Sequence, residues 1–90
     1  MEVEVLEPGA PLADFDYQQL SGKNVEFYDY SYDEDGEIIS WLWDFGDGSA
    51  ASAQQEPTHT FSAAGEYEVT LTVTDNDGKS STATYTVFVD

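Results

Sequence analysis

The sequence contains no cysteine, and its only basic residues besides His59 are Lys23 and Lys79. Without cysteine there are no disulfides, no thiolate zinc sites and no cysteine nucleophile. That does not assign a cytosolic location, because a bacterial extracellular domain can fold without disulfides. The shortage of positive charge excludes more. Nineteen Asp and Glu against two Lys give a formal net charge of -17. Such a surface repels phosphate backbones and has no cationic groups to displace their counterions, so nucleic acid is excluded as a partner. Anionic membrane surfaces are disfavoured for the same reason. No apolar run is long enough to span a bilayer and no charged-then-apolar leader is visible, so membrane insertion is not expected. Met1 followed directly by Glu2 reads as an excised or processed piece of a parent chain. Only three Pro and seven Gly are present, which argues against a disordered tail.

What is present is enough for one small domain. The 90 residues are 40% hydrophobic and 14% aromatic, the dense apolar content that a domain of this size needs. The hydrophobic pattern alternates with period two, and no stretch holds a helical period for a dozen residues. Residues 1–12, with Pro8, Gly9 and Pro11, read as a linker or the end of a preceding unit, and 13–90 as the domain. Short strands are expected at Ala13–Tyr17, Asn24–Tyr30, Ile38–Phe45 and Thr58–Phe61. Longer ones follow at Glu66–Asp75 and Ser80–Val89, joined by the turn Asp75-Asn76-Asp77-Gly78. By parity Val25 and Phe27 face inward, as do Ile39, Trp41, Trp43 and Phe45. Tyr67, Val69, Leu71 and Val73 alternate with Glu68 and threonines, as a half-buried antiparallel strand does. Ser49–Glu56 reads as a loop with room for a short edge strand. These signals point to an all-β, immunoglobulin-like β-sandwich of about seven strands in two antiparallel sheets. Tyr67 falls where such sandwiches place a tyrosine corner.

Several strings are more specific than that. Val25-x-Phe27 is followed by Asp33-Glu34-Asp35-Gly36-Glu37-Ile38 and then by Trp43-Asp44-Phe45-Gly46-Asp47-Gly48. Pro57-Thr58-His59-Thr60-Phe61 and Gly65-Glu66-Tyr67-Glu68-Val69-Thr70-Leu71-Thr72-Val73-Thr74-Asp75 come after them. From Ala13 to Val89 the chain resembles the PKD (polycystic kidney disease) domain family, in its bacterial or archaeal extracellular form. It departs from the family pattern at Glu34, often proline there, and at Phe61, often tyrosine. The resemblance implies a β-sandwich module of an extracellular protein, secreted or at the cell surface, with an accessory role beside proteases, collagenases, chitinases or surface-layer proteins. It names no ligand, since fold and family do not by themselves specify one.

Three groups of residues are candidates for function. Trp43, Asp44, Phe45, Gly46, Asp47 and Gly48 carry two carboxylates beside aromatics, but parity buries the rings and short Asp side chains commonly cap turns. With His59, whose imaginable triad partners are Ser49 and Ser62, they are read as structural, and no catalysis is expected. Asp33, Asp35 and Glu37 alternate like part of an EF-hand loop. Counting Asp33 as the third position puts Leu42 where the bidentate Glu belongs, so no EF-hand is present. A looser Ca²⁺ site using Asp29, Asp33 and Asp35 stands against a plain solvated acidic turn. Some PKD-like domains of secreted collagenases bind Ca²⁺, which the resemblance carries here as an implication. Tyr28, Tyr30 and Tyr32 point outward by parity, as a recognition patch or as a contact with a neighbouring module.

Two functions follow as expectations. One is a monomeric, non-catalytic accessory module that binds an extracellular polymer, a protein such as collagen or a polysaccharide, for an attached hydrolase. The other is a structural spacer between domains of the same chain, with no ligand beyond Ca²⁺.

Overall fold

The computed structural model describes residues 10–34 and 36–90. Six strands follow one another: β1 (Phe15–Gln19), β2 (Asn24–Asp29), β3 (Ile38–Asp44), β4 (Thr58–Thr60), β5 (Gly65–Asp75) and β6 (Ser80–Val89). They form two three-stranded antiparallel sheets, ordered β1-β2-β4 and β3-β5-β6. The all-β sandwich read from the sequence is therefore the fold, with six strands in place of about seven. The difference lies in the Ser49–Glu56 segment. There the expected edge strand shrinks to one antiparallel bridge, in which Trp43 and Ser52 exchange both backbone hydrogen bonds at 2.8 and 3.0 Å.

Alternation explains the core. Val25 and Phe27 of β2, Trp43 of β3, Val69, Leu71 and Val73 of β5, and Val87 of β6 are all fully buried. Phe15, Phe45 and Phe61 close the ends of this layer. Trp43 sits at its centre, edge-on to Phe15 at 4.9 Å and tilted against Phe27 at 5.2 Å. Each buried ring of this kind stabilises the fold by roughly 1.5–3 kcal/mol through area alone. Tyr67 stacks on Phe61 at 4.4 Å, and its hydroxyl donates to the Ala63 carbonyl at 2.6 Å. This is the upstream backbone bond of a tyrosine corner.

Parity fails at one place. Ile38 pairs with Asp75 and Ser40 with Thr74, leaving Ile39 as an extra residue in a bulge. A bulge of one residue shifts every earlier side chain to the opposite face. Ile38 consequently packs against the core while Ile39, expected inside, is 59% exposed.

The segment before β1 is held to the sandwich. Leu12 and Tyr32 exchange two backbone hydrogen bonds at 2.8 and 3.0 Å, and the Ser81 hydroxyl donates to the Pro11 carbonyl at 2.5 Å. At the other end of β1, Gln19 exchanges side-chain bonds with the backbone of Asp90.

Candidate functional site

The corner built from Trp43 to Gly48 is pinned by short-range hydrogen bonds. Asp44 Oδ1 accepts from the Gly46 N–H at 3.0 Å, and Asp47 Oδ1 accepts from the Ser49 N–H at 3.0 Å. Gly46 has φ 72°, and a Cβ built there would overlap the carbonyl of Glu68 on β5. Glycine is required on both counts. His59 of β4 closes the corner, its Nε2 2.7 Å from Asp47 Oδ2. The imidazole lies flat on Phe45 and meets the edge of Phe61 at 4.6 Å.

Burial works to raise the Asp47 pKa, but hydrogen bonds from the Ser49 hydroxyl, His59 and the Ser49 amide outweigh it and bring it down to about 2. A catalytic triad needs its acid and its nucleophile on opposite ring nitrogens. Here the Ser49 hydroxyl, 3.4 Å away, and Asp47 address the same Nε2. The arrangement fastens a loop to a strand and gives no proton relay.

The second group lies on and beside β2. Tyr28 donates its hydroxyl to Gln18 Oε1 at 3.2 Å. Desolvation, then the charge of Glu26, raises its pKa, so it stays a neutral phenol. Tyr30 is 59% and Tyr32 50% exposed, and Leu12, paired with Tyr32, is 37% exposed. Among the described residues these make an open cluster of two phenols and an aliphatic chain, set in an acidic surface.

Asp29, expected among metal ligands, has other partners. Its Oδ1 accepts from the Ser31 N–H at 2.9 Å. Its Oδ2 accepts from Trp41 Nε1 at 2.8 Å and Gln55 Nε2 at 3.1 Å. Three N–H groups thus fill most of the lone pairs of this carboxylate, which ties β2 in one sheet to β3 in the other. Trp41, half-buried, owes its position to this bond.

The third group is at the acidic end. Asp35 lies outside the described residues. Asp33 acts on the carboxyl of Asp75, which ends β5 and opens the hairpin turn as the sequence places it. Asp75 is fully buried. Its Oδ1 accepts from the Asp77 and Lys79 N–H groups, each at 2.9 Å. Its Oδ2 meets no N–H or O–H donor among the described residues. Burial works to raise the Asp75 pKa, yet the Lys79 amide, Asp33, the Asp77 amide and the Lys79 charge together hold it below the usual carboxylate range. The hairpin tip is clipped to the loop before β3 as well. Asn76 N–H donates to the Glu37 carbonyl, and Glu37 N–H donates to Asn76 Oδ1, both at 3.0 Å. Among the described residues no three His, Cys, Asp or Glu side chains converge on one point. A signal for Asp75 was available: it continues the inward stripe of residues 67, 69, 71 and 73, and an acid at an inward position calls for a partner.

With this geometry in place, known proteins offer a comparison. The family model described as PKD domain matches residues 6–89. The PKD1 domain of Vibrio anguillarum Epp superposes with a TM-score of 0.86 at 43% identity, over 93% of this chain and 98% of that one. The PKD1 domain from the Vibrio cholerae metalloprotease PrtV gives 0.82 at 46% identity, over 90% and 98%. A third structure, solved to explain the promiscuous specificity of carbohydrate-binding modules of the β-sandwich superfamily, gives 0.81 at 38% identity. The match takes in 92% of this chain but 35% of that longer one. No curated protein sequence matches the chain.

Proposed function

The chain belongs to the PKD domain family, and we propose that it is a non-catalytic accessory module of a secreted or cell-surface protein, binding an extracellular polymer for an attached hydrolase. The observation that carries this reading is the open cluster of Tyr30, Tyr32 and Leu12. Exposed phenols bring large contact area with few torsions to freeze, and their faces suit both sugar rings and apolar protein ridges. With a charge of -17 on the chain, an uncharged or basic polymer is favoured over an anionic one. Similarity to a metalloprotease domain and to a protein with carbohydrate-binding modules supports the accessory role.

A second reading, a spacer between domains, is favoured by one observation. Leu12 and Asp90 lie at opposite ends of β1, so the chain enters and leaves at opposite ends of the sandwich. That path suits modules joined in series.

Cosedimentation with insoluble collagen, chitin and cellulose separates the two. The binding module is retained by at least one polymer in a saturable way. The spacer stays in the supernatant with all three.

A further inference from the structure

A sheet ends in two edge strands, and an edge with unpaired backbone groups accepts a further strand unless something blunts it. Of the edges here, β4 has three residues and β1 carries Asp16. β3 is bulged at Ile39 and spends its Trp43 N–H and carbonyl on Ser52. β6 has none of these devices. Its ten residues pair with β5 in unbroken register, and Ser80–Val89 contains no charge, no proline and no glycine. The hairpin sets the phase of its backbone. The Asp75 N–H donates to the Lys79 carbonyl, so odd-numbered residues of β6 bond to β5 and even-numbered ones turn N–H and C=O outward. Phe88 follows this rule, its N–H meeting the Tyr17 hydroxyl at 3.2 Å. The outward backbone groups of Thr82, Thr84 and Thr86 have no partner among the described residues, and all three residues are exposed.

We propose that the free edge of β6 binds an extended, basic peptide segment of another protein by strand addition, antiparallel to residues 82–86. Main-chain hydrogen bonds give such a site affinity for a strand, and charge selects which strand. The edge itself is uncharged, but carboxylates border it in a chain of net charge -17. Glu66 and Glu68 stand in the rows of Phe88 and Thr86, and Asp14 accepts the Tyr85 hydroxyl at 2.6 Å. A strand added about 4.8 Å from β6 puts an outer side chain into the Thr86 row, where a Lys or Arg stem spans the threonine to Glu68. On the other face a cation meets the ring of Tyr85, 45% exposed, with the Asp14 carboxylate at its hydroxyl. A second copy of this chain offers the same backbone pattern but brings the same negative charge, so the charges that favour a basic strand oppose self-pairing.

The edge starts beside the tyrosine cluster and runs away from it. Ser81 holds the Pro11 carbonyl, and the next residue, Leu12, pairs with Tyr32. A peptide on β6 therefore occupies a second surface that needs neither Tyr30 nor Tyr32. Strand addition is open to a protein and closed to a polysaccharide, because it is made by peptide N–H and C=O groups.

The test is fluorescence anisotropy at pH 7 with a labelled peptide of about nine alternating Lys and Val residues, beside one in which every Val is Pro. Both carry the same charge, and only the first can add as a strand. The wild type should bind the Lys/Val peptide at least about ten-fold more tightly than the Lys/Pro peptide. Thr84→Pro removes one outward N–H from an edge, where proline is tolerated. Thr84→Lys leaves the backbone intact and sets a like charge against the peptide. Each should weaken binding of the Lys/Val peptide about ten-fold or more while melting close to the wild type. The Tyr30→Ala/Tyr32→Ala chain should bind this peptide as the wild type does, which separates the edge from the polymer site. Hydrogen exchange at the Thr82, Thr84 and Thr86 amides should slow when the Lys/Val peptide is added. No binding of that peptide, or equal affinity for the two, overturns the proposal, and so do Thr84 variants that bind like the wild type. Protection of the three amides in the free chain overturns it too, since a second copy or another segment of the chain then fills the edge.

Discussion

The imidazole of His59 lies on the ring of Phe45 with centroids 4.0 Å apart and planes 4° from parallel, while its Nε2 meets Asp47. One side chain thus joins β4 to the core and to the turn that follows β3. His59→Ala loses the stack and the hydrogen bond to Asp47 together and should cost about 2–3 kcal/mol of stability in urea denaturation. His59→Gln, which keeps a polar end without the flat ring, should recover only part of that.

The same contact sets an acid limit. The folded pKa of Asp47 is about 2, below its ordinary 3.8. A depressed carboxylate pKa contributes stability that is fully present above the unfolded value and is lost as pH falls through the folded one. Between about pH 4 and 2 the wild type should lose stability faster than Asp47→Asn, and the two acid-unfolding curves should converge at the low end. Parallel curves would remove Asp47 from the account.

Gly46 and Gly48 look equivalent in sequence and are not. Both have positive φ, but a Cβ meets backbone only at Gly46, whereas nothing lies within 4 Å of one at Gly48. Gly48→Ala should cost about 1 kcal/mol, the conformational penalty alone. Gly46→Ala must also push β5 away and should cost at least about 3 kcal/mol, read as a difference in urea midpoint at constant slope.

Asp29 provides a third contrast. Asp29→Ala strands the N–H groups of Ser31, Trp41 and Gln55 and should destabilise by about 2–3 kcal/mol. An Asp29→Ala chain as stable as the wild type would contradict that role.

The sandwich was legible because alternation is a strong signal where one face is buried. Val69, Leu71 and Val73 read unambiguously, and so did the inward rings of Phe27 and Trp43. What escaped depends on pairing that no local pattern encodes. The Ile38/Ser40 bulge shifts parity by one residue, so Ile39 faces solvent. The edge strand expected near Ser49–Glu56 lacks apolar alternation and keeps only the Ser52 bridge. Asp29 is satisfied by residues 12 and 26 positions away in sequence, a distance across which side-chain partners leave no periodic trace. Asp75 continues the inward stripe of β5, yet turn chemistry alone accounts for an aspartate at that position, so its burial leaves no separate trace in the pattern.

The central claim is that the phenols of Tyr30 and Tyr32 contact a polymer. It is tested most directly by binding isotherms of the wild type and the Tyr30→Ala/Tyr32→Ala chain on the insoluble polymer that retains the wild type best. These exposed side chains carry little of the core, so the double variant should melt within about 2 °C of the wild type and bind at least ten-fold more weakly. Superimposable isotherms for the two chains, at equal stability, would contradict the claim.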